Sequence, residues 1–420
     1  MNSASDLTAT SDPVPGHDRI RELDIIRGLA LFGVLWMNMF GYFEYIVSDA
    51  SVVHLFGESL DRYIGLAGSW LVLGKAQALF SLLFGFGFAV LSDRAEARGA
   101  NAGTLYLRRV LILLAIGVTH LLLIFAGDIL HAYALMGLAL MMTRRWPSKL
   151  LLGLGLVLAI ASGTASTLWL MATTPAGEVP AVFMALDAGM ARRWDVMLGR
   201  DYAAFVRENL AMAGPELYYS PLGYSLLGMI LGRFLLGTWI YRQGWLQDTA
   251  RYAAGFRRAL PWLLALGLSM AAVGPLVQLL DLSARGPARI GLELVTSASQ
   301  LVLALAYGCG IVVLCRSDAW RSRLSGLGAV GQMALTNYLA HSLVYLFVLN
   351  GFGLGLLAYA GSTVLTLLAV VVFALQIVFS RWWLARFRFG PLEWLWRSAT
   401  YGRWQPFRST PAAGPKPAAS

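Results

Sequence analysis

The chain is poor in charge. Asp, Glu, Lys and Arg make up only 13% of its 420 residues, whereas 58% are hydrophobic. A soluble globular domain carries about 25% charged residues, so this composition excludes a water-soluble monomer. It is typical of a protein whose surface faces the hydrocarbon of a lipid bilayer.

Cysteine is also scarce. The two cysteines, Cys309 and Cys315, lie in one apolar run, and we interpret both as small core residues. Their spacing supports neither a disulfide framework nor a metal site. The five histidines form no recognisable metal-binding spacing with Cys, Asp or Glu, so we expect no metal cofactor.

Positive charge exceeds negative charge, and the formal net charge is +10. An excess of this kind can indicate a nucleic-acid partner. Here the basic residues stand in short blocks between apolar runs, which is the pattern of membrane topology rather than of a phosphate-binding face. We therefore expect the lipid bilayer, and no nucleic acid, as the main partner.

Long apolar runs dominate the rest of the chain. A spanning helix needs about 20 mostly apolar residues, and the sequence predicts an all-α polytopic membrane protein of about ten such helices. The first run is too long for the core of a cleaved signal peptide, so we expect it to remain as a helix. The predicted helices cover residues 25–43, 64–91, 107–126, 128–142, 149–171, 222–241, 260–281, 290–315, 329–349 and 354–380.

Lys and Arg concentrate in every second connection between these runs. Because basic residues are retained on the cytoplasmic side, this alternation predicts that both termini are cytoplasmic. Residues 19–402 would form one integral membrane domain, with 172–221 as an extracytoplasmic loop that includes an amphipathic surface helix. The polar segment 1–18 and the Pro- and Ala-rich segment 403–420 are predicted to be disordered tails.

Two ionisable residues stand out in the segment Gly117–Leu135. His120 and Asp128 lie at the end of one predicted helix and the start of the next, where ionisable groups are costly and seldom occur without a role. A carboxylate beside an imidazole can orient it as a general base. The alternative is a buried pair that only ties two helices together. In either case the two meet only if a tight hairpin forms at Gly127.

The first predicted helix carries a polar stripe. Asp24 and Arg27 are three residues apart and share a face, and Asn38 falls on that same face about three turns later. The stripe suits a polar cavity, although an Arg with an intrahelical ion pair at a membrane boundary is also common.

Further cations lie near the second and third predicted helices. Lys75 is deep in apolar sequence and needs a partner in lipid, for which Asp128 is a candidate. Arg108 and Arg109 begin the third helix, either as cytoplasmic topology signals or as a clamp for phosphate groups. In the ninth helix, Asn337 and His341 share one face, which suits interhelical hydrogen bonds or a cavity lining.

Five segments resemble a known family: LDIIRGLALFGVLWMN, KAQALFSLLFGFGFAV, GVTHLLLIFAGDILHAYALMG, GQMALTNYLAHS and GPLEWLWRSATYG. Together they resemble the YeiB-like family of bacterial inner-membrane proteins, a domain of unknown function, from Arg19 to about Gly402. The first segment is also similar to the opening of the transmembrane acyltransferase superfamily. That superfamily includes the lysosomal heparan glucosaminide acetyltransferase and the O-acetyltransferases of surface polysaccharides.

Two departures from those acyltransferases matter. The O-acetyltransferase branch has a His near the end of its first helix, where this chain has Asn38. The glucosaminide branch has its working His in the following loop, where this chain has His54, but no motif aligns the two. Neither histidine is therefore carried over as a catalytic residue.

The resemblance implies a multi-pass enzyme of the bacterial inner membrane, with acyl-CoA as co-substrate and a small molecule or glycan as acceptor at the periplasmic face. His120 would act as base and Asp128 would orient it. A transporter or exporter of a small anionic solute and a non-catalytic envelope scaffold stay open as alternatives, as does assembly into a homo-oligomer. The residues predicted to bind donor or acceptor are Arg27, Asn38, Lys75, Arg108, Arg109, Asn337 and His341.

Overall fold

The computed structural model describes residues 20–44, 52–97, 99, 101–175, 178–213, 220–282 and 287–408. Within these residues the fold is all-helical, as predicted, and the strand-like pairing is limited to one isolated antiparallel bridge between Phe387 and Arg408. The predicted tail 1–18 and residues 409–420 of the other tail lie outside the described residues.

The first half of the chain forms eight helices within the described ranges. They are α1 (Arg21–Glu44), α2 (Glu58–Leu71), α3 (Lys75–Ala97), α4 (Ala102–Leu123), α5 (Leu130–Met142), α6 (Ser148–Thr173), α7 (Ala181–Leu198) and α8 (Tyr202–Ala211).

The second half adds eight more, again counting described residues. They are α9 (Pro221–Arg242), α10 (Ala253–Leu279), α11 (Pro287–Leu314), α12 (Asp318–Arg323), α13 (Ser325–Gln332), α14 (Ala334–Val344), α15 (Ser362–Leu384) and α16 (Pro391–Tyr401). A π-helical turn extends α14 through Tyr345–Leu349, and a 3₁₀ turn at Leu356–Tyr359 leads into α15.

Eight of the described segments are long and apolar enough to cross a membrane, when α2 and α3 are taken as one segment, Glu58–Ala97. The others are α4, α6, α9, α10, α11, α15 and the Arg21–Phe40 part of α1. Two shorter apolar helices, Leu130–Met142 and Ala334–Leu349, coincide with the fourth and ninth predicted spans. The predicted class, a helical protein with many apolar spans, is therefore confirmed.

The second predicted helix is interrupted, which the sequence analysis did not anticipate. Residues 64–91 were expected to be continuous, but α2 ends at Leu71 and α3 starts at Lys75. Gly74 has φ +77°, a conformation that L side chains rarely adopt. A Cβ at Gly74 would also lie 2.4 Å from the amide nitrogen of Gln300 on α11. The break is therefore tied to close packing against α11.

Helix α1 is central and packs closely on α13. A Cβ at Gly28 would lie 2.0 Å from the Leu327 carbonyl oxygen, and one at Gly331 would lie 2.0 Å from the Asp24 carbonyl oxygen. Such close backbone approach is how apolar helices gain contact when burial from water does not drive their association.

The predicted loop 172–221 contains two helices, α7 and α8, within its described residues. The Tyr202 hydroxyl donates to the Leu123 carbonyl oxygen at 2.7 Å, and the Asn209 amide donates to that of Leu122 at 3.3 Å. Helix α8 thereby covers the last turn of α4 and satisfies carbonyls that the helix leaves free.

We name the two ends of the bundle by their residues. The histidine end is where α1 and α4 end, and it holds His54 and His120. The arginine end is where α1 and α4 begin, and there Arg109 lies within electrostatic range of Arg27.

Candidate functional site

The predicted hairpin between α4 and α5 exists and brings His120 and Asp128 together. His120 Nδ1 lies 2.8 Å from Asp128 Oδ1. Gly127 lies in the turn that connects the two helices, as predicted, and its φ is not positive. A second glycine that was not predicted, Gly117, allows the two helices to pack closely, since a Cβ there would lie 2.4 Å from the His131 backbone nitrogen.

Two residues that the sequence analysis did not assign complete this cluster. Asp128 Oδ2 accepts from the His131 backbone N–H at 2.9 Å and lies 2.7 Å from His131 Nδ1. The Tyr338 hydroxyl donates to Asp128 Oδ1 at 3.3 Å. An Asp that caps the amide three residues later is a local signal that could have indicated His131. Tyr338 comes from α14, and no pattern in the nearby sequence indicated that it would contact Asp128.

The cluster is enclosed and polar. His120 is 1% exposed and Asp128 is 2% exposed. Because Asp128 holds the Nδ1 side of His120, the neutral ring presents Nε2 as an acceptor. That Nε2 is buried and has no hydrogen-bond partner among the described residues. The geometry therefore gives an oriented imidazole with an available basic nitrogen.

A second His–carboxylate pair lies at the same end of the bundle. His54 Nδ1 is 2.6 Å from Asp61 Oδ2, and Asp61 Oδ1 accepts from the Thr363 backbone N–H at 2.7 Å. The His54 side chain is 35% exposed, unlike that of His120. The pair borders a cavity of about 390 Å³ that is also lined by Phe40, Glu58, Arg62, Gly65, Leu66, Gln278, Ser362 and Leu365.

The arginine end gathers positive charge. Arg27 donates to Asp24 at 2.9 Å, as the spacing predicted, and to the Gly331 carbonyl oxygen at 3.3 Å. Arg109 lies within electrostatic range of both Arg27 and Arg397. Arg397 is on α16 and was not predicted to belong here. Arg108 is exposed.

Lys75 does not pair with Asp128 as the sequence analysis suggested. Its ammonium donates to the Ser69 carbonyl oxygen at 2.6 Å. The break after α2 leaves carbonyls of its last turn without helical donors, and Lys75 is the first residue of α3, so it reaches back to them. The oxygens of Asp128 are occupied by the two histidines and Tyr338.

The remaining predicted residues are buried inside the bundle. Asn337 donates to Ser380 Oγ at 3.0 Å, and His341 Nε2 lies 2.8 Å from Gln376 Oε1. They share a face, as predicted, and that face meets α15. Asn38 is also buried, and its Nδ2 has no hydrogen-bond partner in the described part of the chain.

Comparisons with known proteins agree with this architecture. Residues 240–403 match the model of a family described as a protein of unknown function (DUF418). The chain is 31% identical to the uncharacterized protein YxaH of Bacillus subtilis (strain 168), over 94% of this chain and 97% of that protein. It is 29% identical to the uncharacterized protein YeiB of Escherichia coli (strain K12), over 90% and 95% of the two chains. By this near full-length similarity, the chain belongs to the YeiB-like family of proteins of unknown function.

Proposed function

We propose that the protein is a transmembrane acyltransferase. It would transfer an acyl group from cytosolic acyl-CoA to a hydroxyl or amine of an acceptor on the other side of the membrane. The observation that supports this best is the 2.8 Å contact between His120 Nδ1 and Asp128, together with the unbonded Nε2 of the same ring. An imidazole held in this way is suited to general base catalysis.

The corresponding topology has ten spans with both termini in the cytoplasm of a bacterial cell. Helix α5 and the α13–α14 segment would cross as the two shorter spans. The arginine end would then face the cytoplasm, in keeping with the positive-inside rule. The histidine end, with the covering helices α7 and α8, would face the periplasm.

The donor would bind at the arginine end. Arg27, Arg109 and Arg397 bring together positive charges that suit the phosphate groups of acyl-CoA, because guanidinium groups bind phosphate in a bidentate manner. Arg109 and His120 are on the same helix, about 16 Å apart at about 1.5 Å per residue. The acyl end of the donor therefore has to reach along α4 towards His120.

The reaction would proceed by direct attack. The hydroxyl oxygen or amine nitrogen of the acceptor bonds to the thioester carbonyl carbon while His120 Nε2 takes its proton. The carbon–sulfur bond then breaks, and the CoA thiolate leaves with the proton that His120 had taken, which returns the imidazole to its neutral form. Asp128 would stabilise the imidazolium that forms. Asn38, Lys75 and Asn337 are the proposed donors to the oxyanion or the acceptor, and the unbonded amide of Asn38 supports that role best.

An acceptor can reach His120 only if its cover moves. Helix α8 is bonded to the end of α4 through Tyr202 and Asn209. Phe205 of α8 also packs against Phe352, with ring centroids 5.5 Å apart. We propose that displacement of α7 and α8 opens the histidine end to the acceptor.

The proposal is tested with purified protein in detergent, where release of free CoA thiol from acetyl-CoA is measured with and without candidate acceptors. Wild type should release CoA, and His120→Gln should lose this activity while the protein remains folded. His54→Gln is the matched comparison. If only His54→Gln loses activity, the base is His54 and the buried cluster is structural.

The alternatives give different results in the same system. A carrier of a small anionic solute would release no CoA but would move solute in sealed vesicles. An envelope scaffold would do neither. Either result with well-folded wild type would overturn the acyltransferase proposal.

A further inference from the structure

A separate polar centre lies around Arg233, in the interior of α9. Arg233 has 0% exposed surface. Its Nη2 donates to Gln300 Oε1 on α11 at 2.6 Å. Its Nε and Nη1 are buried and have no hydrogen-bond partner among the described residues. Most of the donors of this guanidinium therefore lack an acceptor.

The charge of Arg233 is not balanced by a carboxylate in the described part of the chain. A guanidinium stays protonated in proteins, so burial cannot remove its charge. Glu293 is the acidic residue nearest to Gln300 along α11, about 10 Å away at about 1.5 Å per residue. Its Oε1 instead accepts from Thr167 at 2.6 Å and from Arg289 at 3.5 Å.

Gln300 connects Arg233 to the break between α2 and α3. The Gln300 amide packs against Gly74, where a Cβ would lie 2.4 Å from it. Lys75 follows directly and is 3% exposed, and its ammonium donates back to the Ser69 carbonyl oxygen. Gln300 is therefore held on one side by the Arg233 guanidinium and on the other by the backbone of the break.

The surroundings of this centre contain neutral polar groups and aromatic rings. Arg233 lies within electrostatic range of Tyr133, whose hydroxyl is 2.7 Å from Ser81 Oγ. Phe234, the next residue, stacks on Phe84 with ring centroids 4.5 Å apart. None of these groups carries a negative charge that would offset that of Arg233.

We propose that Arg233 and Gln300 form an internal binding site for a small monovalent anion, either chloride or a short carboxylate such as acetate. An uncompensated cation in a low-dielectric interior is costly, and breaking a buried pair is strongly destabilising for the same reason. A bound anion would supply acceptors for Nε and Nη1 and offset the buried charge. This site does not depend on acyl transfer at His120.

The site is tested by thermal unfolding of the purified, full-length protein in detergent. The unfolding midpoint is measured against increasing sodium chloride or sodium acetate, with sodium gluconate, a bulkier anion, added to hold the ionic strength constant. A ligand that binds only the folded state raises the midpoint in a saturable way. The unfolding midpoint of wild type should rise with chloride or with acetate. The salt that produces the rise identifies the anion.

Single substitutions test whether the anion binds at Arg233. Arg233→Gln should abolish the rise, and Gln300→Ala should shift its half-saturation to about tenfold higher anion concentration. Arg242→Gln, on the exposed end of the same helix, is the matched control and should respond like wild type. If Arg233→Gln does not fold, Gln300→Ala alone carries the test, because Gln300 is the residue that contacts Arg233.

Two results would overturn the site: a wild-type midpoint that does not depend on the anion at constant ionic strength, or an unchanged wild-type response in Gln300→Ala and in Arg233→Gln. Loss of CoA release in the acyltransferase assay would leave this measurement unaffected, so failure of one proposal is distinguishable from failure of the other.

Discussion

Arg109 and Trp396 are joined by two contacts although they lie on α4 and α16. The Trp396 indole N–H donates to the Arg109 carbonyl oxygen at 2.9 Å, and the Arg109 guanidinium carbon lies 3.7 Å from the centroid of the Trp396 ring. The indole thus fixes both the backbone and the side chain of Arg109. Helix α16 is thereby docked against the start of α4, and Arg397 is brought to the arginine end.

This relationship predicts a donor-binding defect in Arg109→Lys. Lysine keeps the charge but loses the planar group that stacks on the indole and binds phosphate in a bidentate manner. We expect the KM for acyl-CoA to rise about tenfold, with kcat little changed. Arg323→Lys is the control, since Arg323 also lies over a tryptophan, 5.2 Å from the Trp320 ring centroid, but is exposed on α12. If the KM for acyl-CoA is the same in Arg109→Lys and Arg323→Lys, the result contradicts a donor site at Arg109.

The His120–Asp128 contact predicts non-additive losses. His120→Gln can still hydrogen bond but cannot transfer the proton, so we expect kcat to fall by about 10²–10⁴. Asp128→Asn should also reduce kcat. The double variant should be little worse than His120→Gln alone, because the two residues act as one unit. Steady-state CoA release measures all three, and additive losses would contradict a shared role.

The close approach of α1 and α13 predicts a stability defect. Gly28→Ala and Gly331→Ala each place a methyl group against a backbone carbonyl oxygen, which cannot move aside as a flexible side chain can. We expect each to lower the free energy of unfolding in detergent by about 1–3 kcal/mol.

Gly153→Ala is the control for this series, because nothing lies within 4 Å of a Cβ at that position in α6. It should be neutral or stabilising by up to about 1 kcal/mol, the difference in helix propensity between the two residues. Equal effects at all three positions would contradict the packing argument.

The proposed topology predicts one-sided cysteine labelling. In a variant without Cys309 and Cys315, a cysteine at Arg200 should react with an impermeant maleimide added to intact cells with a permeable outer membrane. A cysteine at Arg257 should react only after the inner membrane is opened. Both positions are exposed, so access and not burial decides the result. The reverse pattern would invert the orientation and move the donor site to the outside.

The carboxylate of Glu393 predicts a pH dependence of stability. It accepts from the backbone N–H groups of Leu335 and Thr336 at 2.6 and 3.1 Å, and burial raises its pKa. The folded state therefore holds this proton more tightly than the unfolded chain does. The resulting stabilisation is present at pH below the unfolded pKa and is lost as the pH rises through the raised folded pKa.

Glu393→Gln cannot titrate, so the comparison isolates this group. The unfolding midpoint of wild type should fall relative to that of Glu393→Gln as the pH rises from about 4 towards 7, across the range in which carboxyl groups titrate. Thermal unfolding in detergent measures the difference. A difference that stays constant over this range would show that Glu393 has no raised pKa in the folded protein.

Several features were predictable because they are local along the chain. In lipid, each spanning segment must satisfy its own backbone hydrogen bonds, so long apolar runs predicted most of the helices directly. The ion pair of Asp24 with Arg27 followed from helical spacing. The contact of His120 with Asp128 followed from the short connection between two helices, although the glycine that permits it, Gly117, was not identified.

The sequence by itself therefore determined the helical class, the apolar spans and the pairs that lie within a few residues of each other. Only the tertiary structure decided that Trp396 binds Arg109, 287 residues away, that Asp61 binds Thr363, 302 residues away, and that Gln300 meets Arg233. The physical reason is that apolar helices in lipid have no strongly preferred partner from hydrophobicity alone. The helix faces that meet are determined by close approach at small residues such as Gly74 and by individual polar contacts. The periodicity of one helix reveals neither the close approach nor the contacts, because both depend on a second helix.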